Sequence, residues 1–268
     1  RDHVGRVEGA VERHPHVALG AEVVDLVGLD VENHIDQPLA VGDLVEITGS
    51  EAHHAAVVRR IEVGESVLVT NGQGLAVRGS VVGVAKRCVQ VRVAQTLRSA
   101  EHAHRWVAVQ ALAKGDRADR AVETLTEMGV DEIIAWQASR SISRWSVDKR
   151  DKGVAKWQAT AREATKQSRR FTIPPVRFAT TKQICQRIRK VERTFILHES
   201  ADALIDPSQI PAGGEVMLIV GPEGGISPDE LDAFVDAGAL PVLVSDGVLR
   251  TSTAGVVGLA QLRILAGD

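Results

Sequence analysis

Sulfur is scarce in this chain. Its two cysteines, Cys88 and Cys185, stand far apart in 268 residues and show no metal-ligand spacing, so neither a disulfide framework nor a zinc site is expected, and a reducing compartment is. No uninterrupted apolar segment approaches the length needed to cross a bilayer, and the start of the sequence lacks a signal-type apolar core, which predicts a cytoplasmic protein with no membrane attachment. A GxGxxG dinucleotide fingerprint, a Walker loop and a G-x-S-x-G nucleophile elbow are all missing. There is no overall excess of positive charge either. With a net charge of −3 and a pI near 6.3, the chain is not one that coats nucleic acid indiscriminately, and any RNA contact must use a local patch. What is present is a 44% hydrophobic content, enough for one large or two modest domains.

The sequence is organised around residues 217–231, MLIVGPEGGISPDEL. An apolar run rich in β-branched residues breaks at Gly221-Pro222, and a helix then starts with Ser227 as N-cap, Pro228 at the first position and Glu230 three residues after the cap. Glycines at 221, 224 and 225 permit positive φ and let a ligand approach the backbone closely. An ordinary strand-to-helix corner of an α/β domain would use the same residues. Two further stretches have similar character. The strand 194–197 runs into His198-Glu199-Ser200, and the strand from Pro241 runs into residues 245–254 and a long final helix. Three strands in a βαβαβ pattern bring their carboxyl-end loops to one edge of a parallel sheet, where open α/β sheets bind ligands.

Ahead of this region, short strands at 44–47, 66–70, 76–82 and 88–93, with Asn71-Gly72 as a hairpin signal, predict a small β-barrel. Between its first two strands lies a capped helical turn carrying Glu51-Ala52-His53-His54 and Arg59-Arg60. Neighbouring histidines on a helix diverge by about 100° and chelate poorly, so His53 and His54 read as structural or RNA-facing. Arg59 and Arg60 either contact phosphate or form a solvated face. Residues 95–104 read as a linker, 106–112 as the first strand of an α/β domain, 118–128 as a helix stopped by Gly129, and 132–136 as the next strand. The expected domains are an unassigned segment 1–35, a barrel 36–98 and an α/β domain 99–268. From Arg140 to Arg170 there are ten basic residues against three acidic ones, largely on one long helix, and such a face either binds phosphate or is simply solvated.

The trio Leu197-His198-Glu199, Gly221-Pro222-Glu223-Gly224-Gly225 and 249–254 (LRTSTA) resembles the SPOUT methyltransferases. The resemblance is closest to the ribosomal RNA small-subunit methyltransferase E family and covers about residues 38 to 266. The phrases EAHH, KGDR…ETLTEMGVDEI and EATKQSRR…IPP look like the same family. The resemblance implies a PUA-like barrel that presents RNA, followed by a SPOUT domain with a trefoil knot. It also implies a homodimer in which each pocket is completed by the partner's surface, and S-adenosylmethionine-dependent methylation of N3 of one uridine in small-subunit (16S) rRNA, free or assembled. On this basis Arg59, Arg60, Arg140, Arg144, Lys166, Gln167, Ser168 and Arg169 would meet RNA, with Gln167, Ser168 and Arg169 nearest the active site. The family's N-terminal RNA-contacting strand is not found here.

Methyl transfer from a sulfonium to nitrogen needs positioning more than covalent help, but uridine N3 must lose its proton. The expected cofactor pocket and rim are Leu197, His198, Glu199, Gly221, Glu223, Gly224, Gly225, Val248, Leu249, Arg250, Thr251 and Thr253. Arg250 ranks first as stabiliser of the uridine anion, and Glu199 or Glu223 as proton acceptor, although Glu223 would equally satisfy loop N–H groups. The family usually has Arg-Thr-Glu-Thr-Ala where this chain has Arg250-Thr251-Ser252-Thr253-Ala254, and Ser252 reads as a cap of the final helix. Other readings are a SPOUT enzyme acting on another RNA, a catalytically degenerate RNA-binding SPOUT protein, and a metabolic α/β enzyme.

Overall fold

The computed structural model describes residues 23–28, by backbone, and 39–268. The strands of the first unit are β1 (Val23–Gly28), β2 (Leu44–Thr48), β3 (Ser66–Thr70), β4 (Leu75–Ala85) and β5 (Cys88–Arg98), in the order β1-β3-β4-β5-β2. β1 runs parallel to β3 and the other pairs are antiparallel. Asn71 makes the β3–β4 turn: its side-chain oxygen accepts from Gln73 N–H (2.8 Å) and Leu75 N–H (3.1 Å), and Gly72 and Gly74 take φ of +70° and +97°. Inward-facing Ile47, Val67, Val69, Val77, Val89 and Val91 alternate with outward residues. They pack under Ala52 and Ala55 of a short helical cap formed by α1 (Gly49–His53) and a π-type turn at His54–Val58.

β1 lies within the segment that the sequence leaves unassigned, so a boundary at residue 35 cuts through this sheet; the rest of residues 1–35 lie outside those described. The linker is also shorter than expected. β5 continues to Arg98 because Gln95, Thr96 and Leu97 pair with Arg78, Val77 and Ala76, and the next strand opens at His104.

The second unit is a six-stranded, wholly parallel sheet. It contains β6 (His104–Ala111), β7 (Glu132–Trp136), β8 (Val176–Ala179), β9 (Arg193–Leu197), β10 (Gly214–Val220) and β11 (Leu240–Val242), in the order β11-β9-β10-β6-β7-β8. α2 (Asp116–Glu127), α3 (Val147–Gln167) and α6 (Thr251–Ala266) cover one face, where Trp106, Ala108 and Leu218 meet Leu125, Trp157, Leu259 and Leu262. α4 (Thr181–Ile188) and α5 (Pro228–Asp236) cover the other, where Val107, Val109 and Trp136 meet Ile184, Ile188 and Phe234. Burial on both faces explains the apolar runs at 106–109 of β6 and 216–220 of β10. From β9 the chain steps to β10 on one side, then through α5 to β11 on the other, which creates a topological switch point beside β9.

The amino edge of this sheet is closed by charge pairs. Glu132, only 3% exposed, accepts from Arg187 (2.9 Å) and Arg105 (2.6 Å), and Arg187 Nε donates to Glu215 (2.7 Å). The barrel sits at this same edge. Gly74 N–H donates to Phe171 C=O and Ile173 N–H to Gly72 C=O, each at 2.9 Å, joining the β3–β4 turn to the strand-like segment after α3. Lys166 Nζ donates to Glu51 at 2.7 Å, tying the last turn of α3 to α1.

Candidate active site

The loops leaving β9, β10 and β11 converge at the carboxyl edge on one cleft of about 420 Å³. Leu197, His198, Glu199, Gly221, Glu223, Gly225, Val248, Leu249, Arg250 and Thr251 line it, together with Arg117, Val220, Pro222, Ile226 and Ala254. A second hollow of about 120 Å³, floored by residues 242–247, shares Leu197, Glu199 and Leu249 with it.

The local chemistry explains the convergence. Thr251 opens α6 and donates its hydroxyl to Gly221 C=O at 2.7 Å, while the buried Gln110 at the end of β6 donates to Thr251 Oγ1 at 3.1 Å. One threonine thus ties the second loop to the third. Gly255 and Gly258 let α6 lie against the sheet: a Cβ on Gly258 would come within 3.1 Å of both Leu197 and Leu218. Gly225, with φ +73°, turns the GPEGG loop back, and Ser227 Oγ then caps α5 by accepting from Glu230 N–H.

Glu230 is a buried hub. Its carboxylate accepts from Ser139 N–H (2.9 Å), Ser139 Oγ (2.8 Å), Ser227 Oγ (2.9 Å) and Thr181 Oγ1 (3.3 Å). It fastens the loop after β7 to the GPEGG loop and so seats Arg140 beside the cleft, with Nη1 3.5 Å from Gly224 C=O. Arg144 reaches back to Ser139 C=O at 2.8 Å.

Two of the twelve expected cofactor residues do not line the cleft. Gly224 is exposed and backs onto Arg140, where a Cβ would meet the Arg140 carbonyl at 3.1 Å. Thr253 turns its hydroxyl to Arg250 C=O inside the first turn of α6. Glu223 is already engaged, since Oε1 accepts from Lys114 N–H (3.1 Å) and lies 3.5 Å from Arg117 Nη1. One oxygen thus anchors the loop, while Oε2 is buried without a hydrogen-bond partner. Ser252 is not the cap of α6: Arg250 occupies that position, and Ser252 is buried inside the first turn. Arg117 escaped the sequence reading, although it lies in the KGDR phrase directly after β6, where a carboxyl-edge loop had to fall.

The expected RNA contacts separate into two groups. Arg140 and Arg144 stand at the carboxyl edge, whereas Arg59, Arg60, Gln167 and Arg169 are exposed around the barrel at the amino edge, with φ of +56° at Arg60 and +55° at Arg169. α3, 21 residues and so about 30 Å long, lies between them. Gln167, Ser168 and Arg169 are therefore remote from the cleft of their own chain. Lys166 Nζ donates to Glu51 and Glu163, and Ser168 Oγ donates to Ala164 C=O, so both are engaged within the chain. Among the described residues no group of three or more His, Cys, Asp or Glu could hold a metal ion, and no helix is long and apolar enough to cross a membrane.

The two-part architecture, a parallel sheet with its cleft at the switch point preceded by a small barrel, is matched by two models that place it among the RNA methyltransferases. An RNA methyltransferase domain model matches residues 100–263 and an RNA methyltransferase PUA domain model matches 47–94. Ribosomal RNA small subunit methyltransferase E of Mycobacterium bovis is 38% identical over 87% of this chain and 90% of its own length; the Bacillus subtilis protein of that name is 27% identical over 83% and 92%. A Legionella pneumophila protein solved in complex with the bound cofactor SAM is 27% identical, with a TM-score of 0.76 over 89% of this chain and 96% of that one. The chain belongs to the ribosomal RNA small subunit methyltransferase E family.

Proposed function

We propose that the protein transfers a methyl group from S-adenosylmethionine to N3 of a specific uridine in small-subunit rRNA. The observation that carries this reading is the convergence of the 197–199, 221–225 and 248–251 loops on one cleft at the switch point. The cleft fits such a cofactor. Position 221 admits only glycine, since a Cβ there would strike Ile226 at 2.8 Å, and the loop folded this closely keeps its backbone polar groups at the cleft. Leu197, His198, Gly221, Gly225, Val248, Leu249 and Thr251 would hold the cofactor, with Glu199 and Arg250 at the rim. When bound, the sulfonium supplies the methyl group, the N–C bond forming as the C–S bond breaks. The protein's own residues position the donor, exclude water and manage the N3 proton.

RNA contacts on the barrel and a cleft at the opposite edge are reconciled by a homodimer in which the barrel of one protomer serves the cleft of its partner. The trefoil knot belongs to the same reading. A degenerate binding protein is disfavoured by the burial of Ser252: the departure at that position sits within α6 and not in the cleft. The test is to map N3-methyluridine in small-subunit rRNA from cells lacking the protein and after its return. Loss and restoration at one site are expected; unchanged modification refutes the reading.

A further inference from the structure

The geometry points to Glu199 and Arg140 as the pair that reads the acceptor base, selecting uridine over cytidine and removing its N3 proton. This inference rests on the function proposed above and goes beyond it by naming what identifies the pyrimidine.

The two side chains come from different loops, after β9 and β7, and flank the same glycine. The position that a Cβ of Gly225 would occupy lies 3.8 Å from Glu199 Oε1 and 3.9 Å from Arg140 Nη1. The two groups are thus no more than about 8 Å apart, a gap that one ring edge can bridge with a hydrogen bond at each end. They form no ion pair with each other, and Glu199 has no partner among the described residues. Other charged groups stand nearby, none of them flanking Gly225. Glu223 Oε1 is held by Lys114 N–H and Arg117 while its Oε2 is buried without a partner, Arg144 is turned to Ser139 C=O, His198 Nδ1 accepts from Ser200, and Arg250 lines the cleft from the third loop. The backbone at Arg140 is fixed because Glu230 holds the neighbouring Ser139 through both its N–H and its hydroxyl, while the exposed guanidinium makes one long contact to Gly224 C=O at 3.5 Å.

A uracil edge offers carbonyl, N3–H and carbonyl in sequence. A carboxylate beside a guanidinium is complementary to N3–H and an adjacent carbonyl, whereas cytosine presents a lone pair at N3 and an amino group beside it, opposing both. The same contacts serve the chemistry. The N3–H bond breaks, the proton passes to a Glu199 oxygen, and the negative charge left on N3 and its carbonyls is held by Arg140 until N3 is methylated; Glu199 then returns the proton to water.

The test uses the full chain with small-subunit particles from cells lacking the protein, carrying the target uridine or a cytidine in its place. Single-turnover rates are followed against pH, particle binding is measured without cofactor, and S-adenosylmethionine affinity is measured by calorimetry without RNA. Glu199→Gln is expected to lower the neutral-pH rate about 100-fold and to give a rate rising tenfold per pH unit into the alkaline range. Arg140→Ala is expected to lower it on the order of 100-fold, with partial recovery in free guanidine and in Arg140→Lys. Cofactor affinity should stay within about threefold in each variant, and wild type should bind the cytidine particle more weakly than the uridine particle. Wild-type rate and pH profile in both variants, or a loss matched by an equal loss of cofactor affinity, would overturn the assignment. A wild-type protein unable to methylate the uridine particle would overturn the underlying function first, before any substitution is made.

Discussion

The two edges of the six-stranded sheet treat charge in opposite ways. At the amino edge Glu132, Arg105, Arg187 and Glu215 interlock, each partner already answered by another. At the carboxyl edge Glu199 and Arg250 have no partner among the described residues, and Arg140 has a single long contact to a carbonyl. Both edges belong to the same strands and the same core, so the contrast does not arise from the fold. A saturated network contributes to stability, whereas an unsaturated set keeps its hydrogen-bonding capacity for something that arrives.

The contrast can be broken most sharply at Glu132. Glu132→Ala removes the buried carboxylate shared by Arg105 and Arg187, leaving both on Glu215 alone, and should cost about 3 kcal/mol in urea unfolding, with the rate per folded molecule unchanged. The same residue sets a pH signature. Burial alone would raise its carboxyl, but hydrogen bonds and charge from Arg187 and Arg105 outweigh burial and hold it below the ordinary value of 4.5. Its contribution is therefore complete above that pH and is lost as acid protonates it, so stability should fall on acidification, and Glu132→Gln should flatten that limb of the curve.

On the other edge the order of effects reverses. Gly225→Val places a β-branched side chain at φ +73° and into the gap between Glu199 and Arg140; methylation should become undetectable while unfolding shifts by only about 2 kcal/mol. Thr251→Val removes the link between Gly221 C=O and Gln110 and should cost about 1 kcal/mol, with a larger loss in cofactor affinity measured by calorimetry. The smallest effect is expected at the junction. Lys166→Met breaks the tie to Glu51, and hydrogen exchange should quicken in α1 and the end of α3 for about 1 kcal/mol of stability.

Much of this was legible in the sequence because its signals are local. The Asn71-Gly72 turn, the Ser227 cap with Glu230, and the apolar runs of β9 and β10 each declare themselves within a few residues, and so did the three loops of the cleft. What stayed hidden depends on partners distant along the chain. The extension of β5 to Arg98 is decided by its pairing with β4, and the commitment of Lys166 by a glutamate 115 positions earlier. Arg140 and Lys166 look alike in a basic run. One is led to the cleft by a neighbouring serine bound to Glu230, and the other is consumed at a domain junction. Ser252 misled for a related reason: a serine one residue inside a helix looks like a cap until Thr251 is seen bonding across to Gly221.

α3 has an end in each region. Its last turn is pinned to the barrel through Lys166, and its first follows the cap Ser146 and Trp145, whose ring packs edge-on against Trp157 at 5.4 Å and whose backbone N–H donates to Gln137 in the loop that carries Arg140. A packed helix of this length behaves as a strut. A tilt of about 4° imposed where the barrel grips it displaces the opposite end by roughly 2 Å, a full hydrogen-bond mismatch at Arg140. A disturbance at the Lys166–Glu51 junction thereby reaches the loop that carries Arg140 without any direct contact between the two regions.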